Sequence, residues 1–342
     1  MMSTIKEIAK KAGVSPTTVT NVIHKNYSKV SDETRKKVES YIKSCNYTPN
    51  MGAMILGRND SRIIGVIMFM EPRWNETVLE DPFSSAVIGA IEESIHAMGY
   101  FLMLQTTNSE EEVIRLAKTW KLAGLILIWV PEKIAPIINN SVETPVVFID
   151  SHFDFNENIY HNVGLKDEEG GYLITEYLIS MGHKDVIFFT NDTFVSGTDS
   201  LRFKGCQRAL KDNNIDFNGG NRIFLSKEKS ERYNIYSQIA KREMPYTALI
   251  FSSDYYAAEA VNYLQDHGLK IPDDISVTGF DDNIFSRIIQ PHLTTIHQNS
   301  SDKGRIAVSM LMKLIKKEII KKPNIKLDVE LVIRDSVKNL LN

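Results

Sequence analysis

The sequence predicts an α/β protein: a two-lobed core of doubly wound parallel sheets with an N-terminal, all-α helix-turn-helix head. Three observations carry that expectation. Residues Thr4–His24 read as two short helices broken by one sharp turn. From Ile63 onward, short apolar runs alternate with segments of helical period, the pattern of a parallel sheet. That alternation occurs twice in tandem, and 342 residues with 43% hydrophobic content can fill two or three cores.

In the head, Thr4 caps the first helix, and Glu7 sits where its carboxylate reaches back to the cap's own N–H. Ile5, Ile8, Ala9 and Ala12 follow the i, i+3, i+4, i+7 spacing of one apolar face. Gly13 supplies the positive φ that ends the helix. Ser15 caps the second helix, with Pro16 at its first position, where a missing N–H costs nothing. Val19, Val22 and Ile23 face back toward the first helix, leaving Thr17, Thr20, Asn21 and His24 as an uncharged polar face. This is the layout of a helix-turn-helix whose second helix reads base edges. An ordinary αα-hairpin is the plainer alternative, since both caps and the glycine fit it too.

A third helix follows, capped by Ser31, with Asp32 and Glu33 in its first turn and Val38, Tyr41 and Ile42 on its inner face. Three helices complete the head by about Asn46. Tyr47-Thr48-Pro49-Asn50 breaks the chain, and Met51–Leu56 forms a turn or two of helix before Gly57, weakened by Gly52. Charge divides at the same place. Residues 1–60 carry ten Lys/Arg against five Asp/Glu, a net +5, while the whole chain is −3, which leaves −8 for the rest. A basic head on an acidic body suits a module that meets phosphate while the body stays off it; a solvated Lys-rich surface is the bland alternative.

In the first lobe, Ile63–Phe69, Tyr100–Gln105, Leu125–Trp129 and Val146–Ile149 read as strands. Between them lie helices at Ser84–Met98, Glu110–Lys121 and Glu132–Asn139. The second lobe repeats this with strands at Val186–Thr190, Ile223–Leu225, Ala248–Ser252 and Ile275–Gly279. Its helices are Glu168–Met181, Ser200–Asn213, Lys229–Lys241 and Tyr255–His267. Gly99, Gly182 and Gly268 each follow a helix, where a C′ glycine belongs. Two such lobes imply a cleft whose ligand groups come from loops at the strand carboxyl ends.

Ile5–Ile23 resembles the N-terminal signature of the LacI/GalR family of bacterial repressors, I-x-x-I/V-A-x-x-A-G-V-S-x-x-T-V-S-x-V. Only Thr20, where the family usually has Ser, departs. The likeness continues through Asp81-Pro82-Phe83, near the family's N-P-F-F, and Arg202-Phe203-Lys204-Gly205, matching R-x-x-G. Ile271–Asp282 is nearly V-P-x-D-I-S-V-x-G-F-D-D, and Pro291–Ile296 matches P-x-L-T-T-I. The resemblance implies a periplasmic-binding-protein-like core at 62–342, a head at 1–46, and a hinge helix and linker at 47–61. Three crossings would divide the core into a first lobe of about 62–160 and 292–325 and a second of about 161–291 and 326–342. Two departures stand out: Met70–Leu79 is longer than usual, and Lys166-Asp167 replaces the common Asp-Asn.

The same resemblance implies the site residues. Pro16, Thr17 and Asn21 match base-contacting positions, and Ser15, Thr18 and Thr20 match phosphate-contacting ones, with Thr4 and His24 at the margins. Asn50, Ala53 and Leu56 match a hinge helix that orders on DNA, with Leu56 as an apolar wedge in the minor groove. A plain linker is the alternative there, and Met54 stands where a basic residue is common. For the effector, Arg202 and Asp281 match binding positions, Asp150 a frequent contact, and Ser253 replaces a commoner Asn beside Asp254. Phe83 or Trp129 can stack on a sugar or base face.

No P-loop, G-x-G-x-x-G, G-x-S-x-G or H-E-x-x-H motif is present. Asp150 and His152 fall at a strand end without a nucleophile motif, so an enzyme is not expected, and no cofactor or metal is called for. A secreted solute-binding protein is the rival by fold, but it needs an export signal and no DNA-binding head. Cys45 and Cys206 match no metal or redox spacing, so the chain is expected in a reducing cytoplasm, with no membrane segment. The expected function is a homodimeric repressor of carbohydrate-utilisation genes on palindromic operator DNA, controlled by a sugar or sugar phosphate. A nucleobase or nucleoside is the alternative effector. The absence of a heptad tail after Arg334-Asp335-Ser336 favours a dimer over a tetramer.

Overall fold

The computed structural model describes residues 4–23, 26–47, 61–70, 78–152, 160–190, 197–216 and 221–341. The chain divides into two compact units, Met1–Ser61 and Arg62–Asn342.

The first unit holds α1 (Ile5–Ala12), α2 (Pro16–Ile23) and α3 (Asp32–Ser44). The capping box of α1 is formed: Glu7 N–H donates to Thr4 Oγ1 at 3.3 Å, and Thr4 N–H donates to Glu7 Oε2 at 3.0 Å. Gly13 closes the helix at φ 67°. Thr18 N–H donates to Ser15 Oγ at 3.1 Å, and Thr34 N–H to Ser31 Oγ at 3.3 Å, so the three expected caps are in place. Ile8, Ala9, Ala12, Val19, Val22 and Val38 form one small core, with Tyr41, Ile42 and Tyr47 packed against it. A short 3-10 turn, Tyr27–Lys29, was not legible in the sequence; Arg35 lies over its Tyr27 ring at 4.8 Å.

The second unit contains two parallel sheets. The first runs β11-β5-β4-β3-β1-β2, from β1 (Ile63–Phe69), β2 (Phe101–Thr107), β3 (Gly124–Ile128), β4 (Val146–Ile149), β5 (Asn162–Leu165) and β11 (Asn324–Leu327). The second runs β7-β6-β8-β9, from β6 (Val186–Thr190), β7 (Arg222–Phe224), β8 (Ala248–Phe251) and β9 (Ser276–Thr278). A short antiparallel pair, β10 (Thr295–His297) with β12 (Glu330–Val332), is bridged to the end of β9. β3, β4, β6 and β8 are buried along their whole length, as strands covered on both faces must be.

Helices α4 (Pro82–Ala97), α5 (Glu110–Thr119), α6 (Ala135–Ser141) and α12 (Ser300–Ile315) belong with the first sheet. Helices α7 (Asp167–Ser180), α8 (Thr198–Asp212), α9 (Lys229–Ala240), α10 (Asp254–Asp266) and α11 (Ile284–Ile288) belong with the second. Gly99, Gly182 and Gly268 take φ of 77°, 92° and 90° at the helix ends where they were expected.

Strand pairing puts the three crossings after Leu165, after His297 and after Leu327. Each lies a few residues beyond the boundary expected from likeness. The reason is that β5 and β11 still hydrogen-bond within the first sheet, while β10 still pairs beside the second.

The tightest helix contact in the second unit is between α7 and α8. A Cβ on Gly171 would fall on the backbone carbonyl of Arg202, and a Cβ on Gly205 on that of Glu168. These two glycines let the backbones touch, which places the first turn of α7 directly beside Arg202.

Candidate DNA-reading face and effector site

On α2, Ser15, Pro16 and Thr17 are exposed, while Thr18, Thr20 and Asn21 are half-buried. Three of the hydroxyls are already engaged. Thr18 Oγ1 shares a 2.9 Å hydrogen bond with Ser15 Oγ, and Thr20 Oγ1 donates to the Pro16 carbonyl at 2.9 Å. Thr20 therefore keeps only acceptor capacity, which does not suit a phosphate oxygen unless the rotamer changes. Thr17 and Asn21 make no side-chain hydrogen bond among the described residues. They keep their polar atoms for a partner. His24, Asn50, Ala53 and Leu56 lie outside the described residues.

In the second unit, buried charges gather where the carboxyl ends of both sheets meet. Asp150, just past β4, is 4% exposed and chelated by Lys303 of α12, whose Nζ lies 2.8 and 2.7 Å from its two oxygens. Phe83, on α4, lies 4.9 Å from the same Nζ and stacks on Trp129 at 5.8 Å. On the second sheet's side, Arg202 Nε donates to Asp167 Oδ1 at 2.9 Å and Nη1 to the Ser252 carbonyl at 2.5 Å. Its guanidinium stacks 3.5 Å from the Phe280 ring centroid and reaches Asp281 at 3.8 Å. Gln298, in the crossing after β10, donates from Nε2 to Asp281 Oδ1 at 2.5 Å. His152 Nε2 and Thr198 Oγ1, 3.0 Å apart, join the two sides.

The backbone is strained around this cluster. Trp129, Asp150 and Asp281 all have positive φ, at 61°, 49° and 116°, a region that non-glycine residues rarely adopt. Three such residues at three strand ends mark a site held by its surroundings rather than by local preference.

The electrostatics agree. Burial pushes Asp281 up to about 7, with Asp81 adding to the rise and Arg202 opposing it. Burial also holds Asp254 well above the usual carboxylate range, with the charge of Asp281 next in importance. Asp167 is raised by burial against the pull of Arg202 and Lys303. Between its ordinary 3.8 and about 7, folded Asp281 keeps a proton that the unfolded chain has released. Its contribution to stability therefore falls as pH rises through that window. Asp281→Asn, with no proton to lose, is expected to gain on wild type across it, by at most roughly 4 kcal/mol. Urea unfolding of both proteins across that range checks this; a stability gap that stays flat with pH contradicts it.

Two expected contacts are placed differently. Asp254 is completely buried; Oδ1 accepts from Thr295 Oγ1 at 2.6 Å and Oδ2 from the Asn283 N–H at 2.9 Å. Both oxygens are held within the protein, so Asp254 supports the loop after β9 rather than facing a ligand. Ser253 caps α10, accepting from the Tyr255 N–H at 3.2 Å.

Comparison with known proteins decides what this arrangement belongs to. Residues 4–50 match the model of the bacterial regulatory proteins, lacI family, and residues 175–337 that of a periplasmic binding protein-like domain. The chain is 34% identical to the HTH-type transcriptional repressor PurR of Histophilus somni (strain 129Pt), across 99% of this chain and 100% of that one. The chain belongs to the LacI family. Its relative in Pasteurella multocida, also an HTH-type transcriptional repressor PurR, is 32% identical over the same shares. Among solved structures, the Lac repressor dimer bound to operator and the anti-inducer ONPF superposes with a TM-score of 0.84 at 25% identity, covering 99% of this chain and 100% of that one.

This LacI-family chain is thus a DNA-binding transcriptional repressor with a helix-turn-helix head, and not an enzyme. Among the described residues no helix is long and apolar enough to cross a membrane.

Arg202, Asp150 and Asp281 are the candidate effector contacts legible in the sequence, and Asp167, Gln298 and Lys303, which hold them, carry no comparable signal. In the sequence, Asp167 stands out only as part of the Lys166-Asp167 departure from the family's Asp-Asn. Lys303 reads as an ordinary helix lysine. Its signal is the adjacent Gly304, where a Cβ would meet the Val87 carbonyl, so this end of α12 faces inward.

On the head of this LacI-family repressor, Asn21 is the residue suited to pair bidentately with adenine N6/N7, a contact that discriminates by about 1–3 kcal/mol. Asn21→Ala is expected to relax preference at one base pair per half-site. Selection of binding sites from a random pool checks it, and a profile equal to wild type removes the assignment.

Proposed function

We propose that this LacI-family repressor binds a palindromic operator as a homodimer, and that a small molecule held between the two lobes sets its operator affinity. The observation that carries the reading is the buried cluster of Asp150–Lys303 on one side and Arg202–Asp167–Asp281 on the other. Charged side chains are rarely buried to this degree without a partner or ligand that needs them. Dimerisation follows from geometry, because one head reads too few bases and two heads related by a two-fold axis read a palindrome. A regulator of this kind works in the compartment that holds the chromosome.

For the effector, a nucleobase or nucleoside is the better-supported class, ahead of the carbohydrate expected from family likeness. The support is that full-length relatives above 30% identity include HTH-type transcriptional repressors PurR, whose name points to purines. Half-buried Trp129, backed by Phe83, also offers a flat face for a base. A thermal-unfolding screen of the full chain against purines, pyrimidines, their nucleosides, and sugars tests this. A ligand at about 100 times its dissociation constant adds roughly 2.7 kcal/mol. The expected hit is a base or nucleoside; stabilisation by sugars alone returns the reading to a carbohydrate repressor.

A further inference from the structure

We infer that Asp167 sets the charge of the effector: the interlobe site takes an uncharged or cationic molecule that brings hydrogen-bond donors, and it rejects anions such as phosphate esters. The inference rests on the reading that the effector occupies this cluster.

Among the described residues, the cluster holds five buried carboxyl groups, Asp150, Asp167, Asp199, Asp254 and Asp281, and two buried cations, Arg202 and Lys303. Both cations are already committed. Lys303 is fully buried and bound to both oxygens of Asp150. Arg202 is bound to Asp167 and the Ser252 carbonyl and covered on one face by Phe280. Burial raises Asp254 and Asp281 so that they hold protons more readily than ordinary carboxyls, and the barrier to an incoming anion is that both cations are occupied, which leaves it no counterion.

The unsatisfied groups point the same way. Among the described residues, Asp167 Oδ2 and Gln298 Oε1 are both buried and have no hydrogen-bond partner. Both are acceptors, and a buried acceptor without a donor is costly, so what completes the site is a donor. Asp167 is 1% exposed, yet near enough to the other side for Lys303, Asp150 and His152 to act on its charge. It stands at the crossing after β5, where the two lobes' contributions meet.

The test is calorimetry on the full chain with matched probes: adenine, guanine and hypoxanthine, their nucleosides and 5′-monophosphates, and glucose with glucose 6-phosphate. Wild type is expected to bind the uncharged member that fits at least roughly 100-fold tighter than its phosphorylated form, the scale of an unfavourable like-charge contact. Asp167→Asn keeps the shape and the acceptor for Arg202. It is expected to narrow that ratio at least about tenfold, weakening the uncharged ligand and strengthening the phosphate. Gln298→Met removes the other orphan acceptor without changing charge, so it should weaken binding and leave the ratio alone. Equal wild-type affinity for a phosphate ester and its parent overturns the inference. So does an unchanged ratio in Asp167→Asn, or a shift as large in Gln298→Met. Binding that survives Arg202→Ala removes the site reading and this inference together; an unchanged ratio with Arg202-dependent binding removes only the inference.

Discussion

Arg202→Ala is expected to abolish effector binding, by at least about 100-fold, while operator binding by the head is retained. The magnitude follows from what the side chain does. It compensates Asp167, grips the Ser252 carbonyl and covers Phe280, so its removal leaves buried carboxylates without a counterion. Breaking a buried pair in this way costs roughly 3–5 kcal/mol, so the variant should also melt earlier. Arg202→Lys keeps the charge but loses the planar fork, and should recover stability more than affinity. The competing explanation is a plain salt bridge between Arg202 and Asp281 that closes the cleft. The structure weakens it, since Arg202, Asp167 and Asp281 all belong to the second lobe and cannot tie it to the first. Calorimetry with the ligand found by the unfolding screen decides the matter. Wild-type affinity in a folded Arg202→Ala protein removes Arg202 from the site.

The second large effect is expected from one methyl group. Gly205→Ala places a Cβ on the Glu168 carbonyl, where no flexible side chain can give way. The α7–α8 contact has to open, at a cost of roughly 3 kcal/mol or more. Opening it also draws Arg202 away from Asp167, because the two residues sit on the two helices that separate. Denaturant unfolding should therefore show lost stability together with weakened effector binding, and Gly171→Ala should behave alike from the opposite helix. The R-x-x-G pattern thus has two physical meanings: the arginine builds the site, and the glycine one turn later lets its helix approach closely enough to present it. A Gly205→Ala protein as stable as wild type would show that the helices adjust freely.

Much of the fold was legible because its signals are local. β1, β4 and β6 fall on the residues expected, since each is a short, almost wholly apolar run with a charged residue, Arg62, Asp150 or Asp185, at one end. The head was readable to individual caps because Thr4, Ser15, Ser31 and Gly13 each act within four residues of their own position. Most of what stayed hidden was short or assembled from distant segments, the sixteen-residue helix α12 being the exception. β5, β10 and β12 are three or four residues long, too short for periodicity to register. Lys303 looks solvated until Asp150, 153 residues away, is folded against it. Asp254 illustrates the opposite error. A carboxylate at a strand's carboxyl end suggests a ligand contact, but the hydroxyl of Thr295 and the amide of Asn283 turn it inward. Motif likeness carries the fold, while the effector class depends on side chains that the motifs do not contain, which is why full-length likeness to PurR repressors moves the proposal from a carbohydrate toward a base or nucleoside.

The most direct test of the account is a fluorescence-anisotropy titration of the full chain on its selected operator, with and without the ligand found by the unfolding screen. One uncharged base or nucleoside is expected to change operator affinity at least about tenfold, a coupling of roughly 1.4 kcal/mol. The change should vanish in Arg202→Ala, whose affinity for operator without ligand should stay near wild type. Operator affinity indifferent to every ligand that binds the chain, or a response that persists undiminished without Arg202, would contradict it.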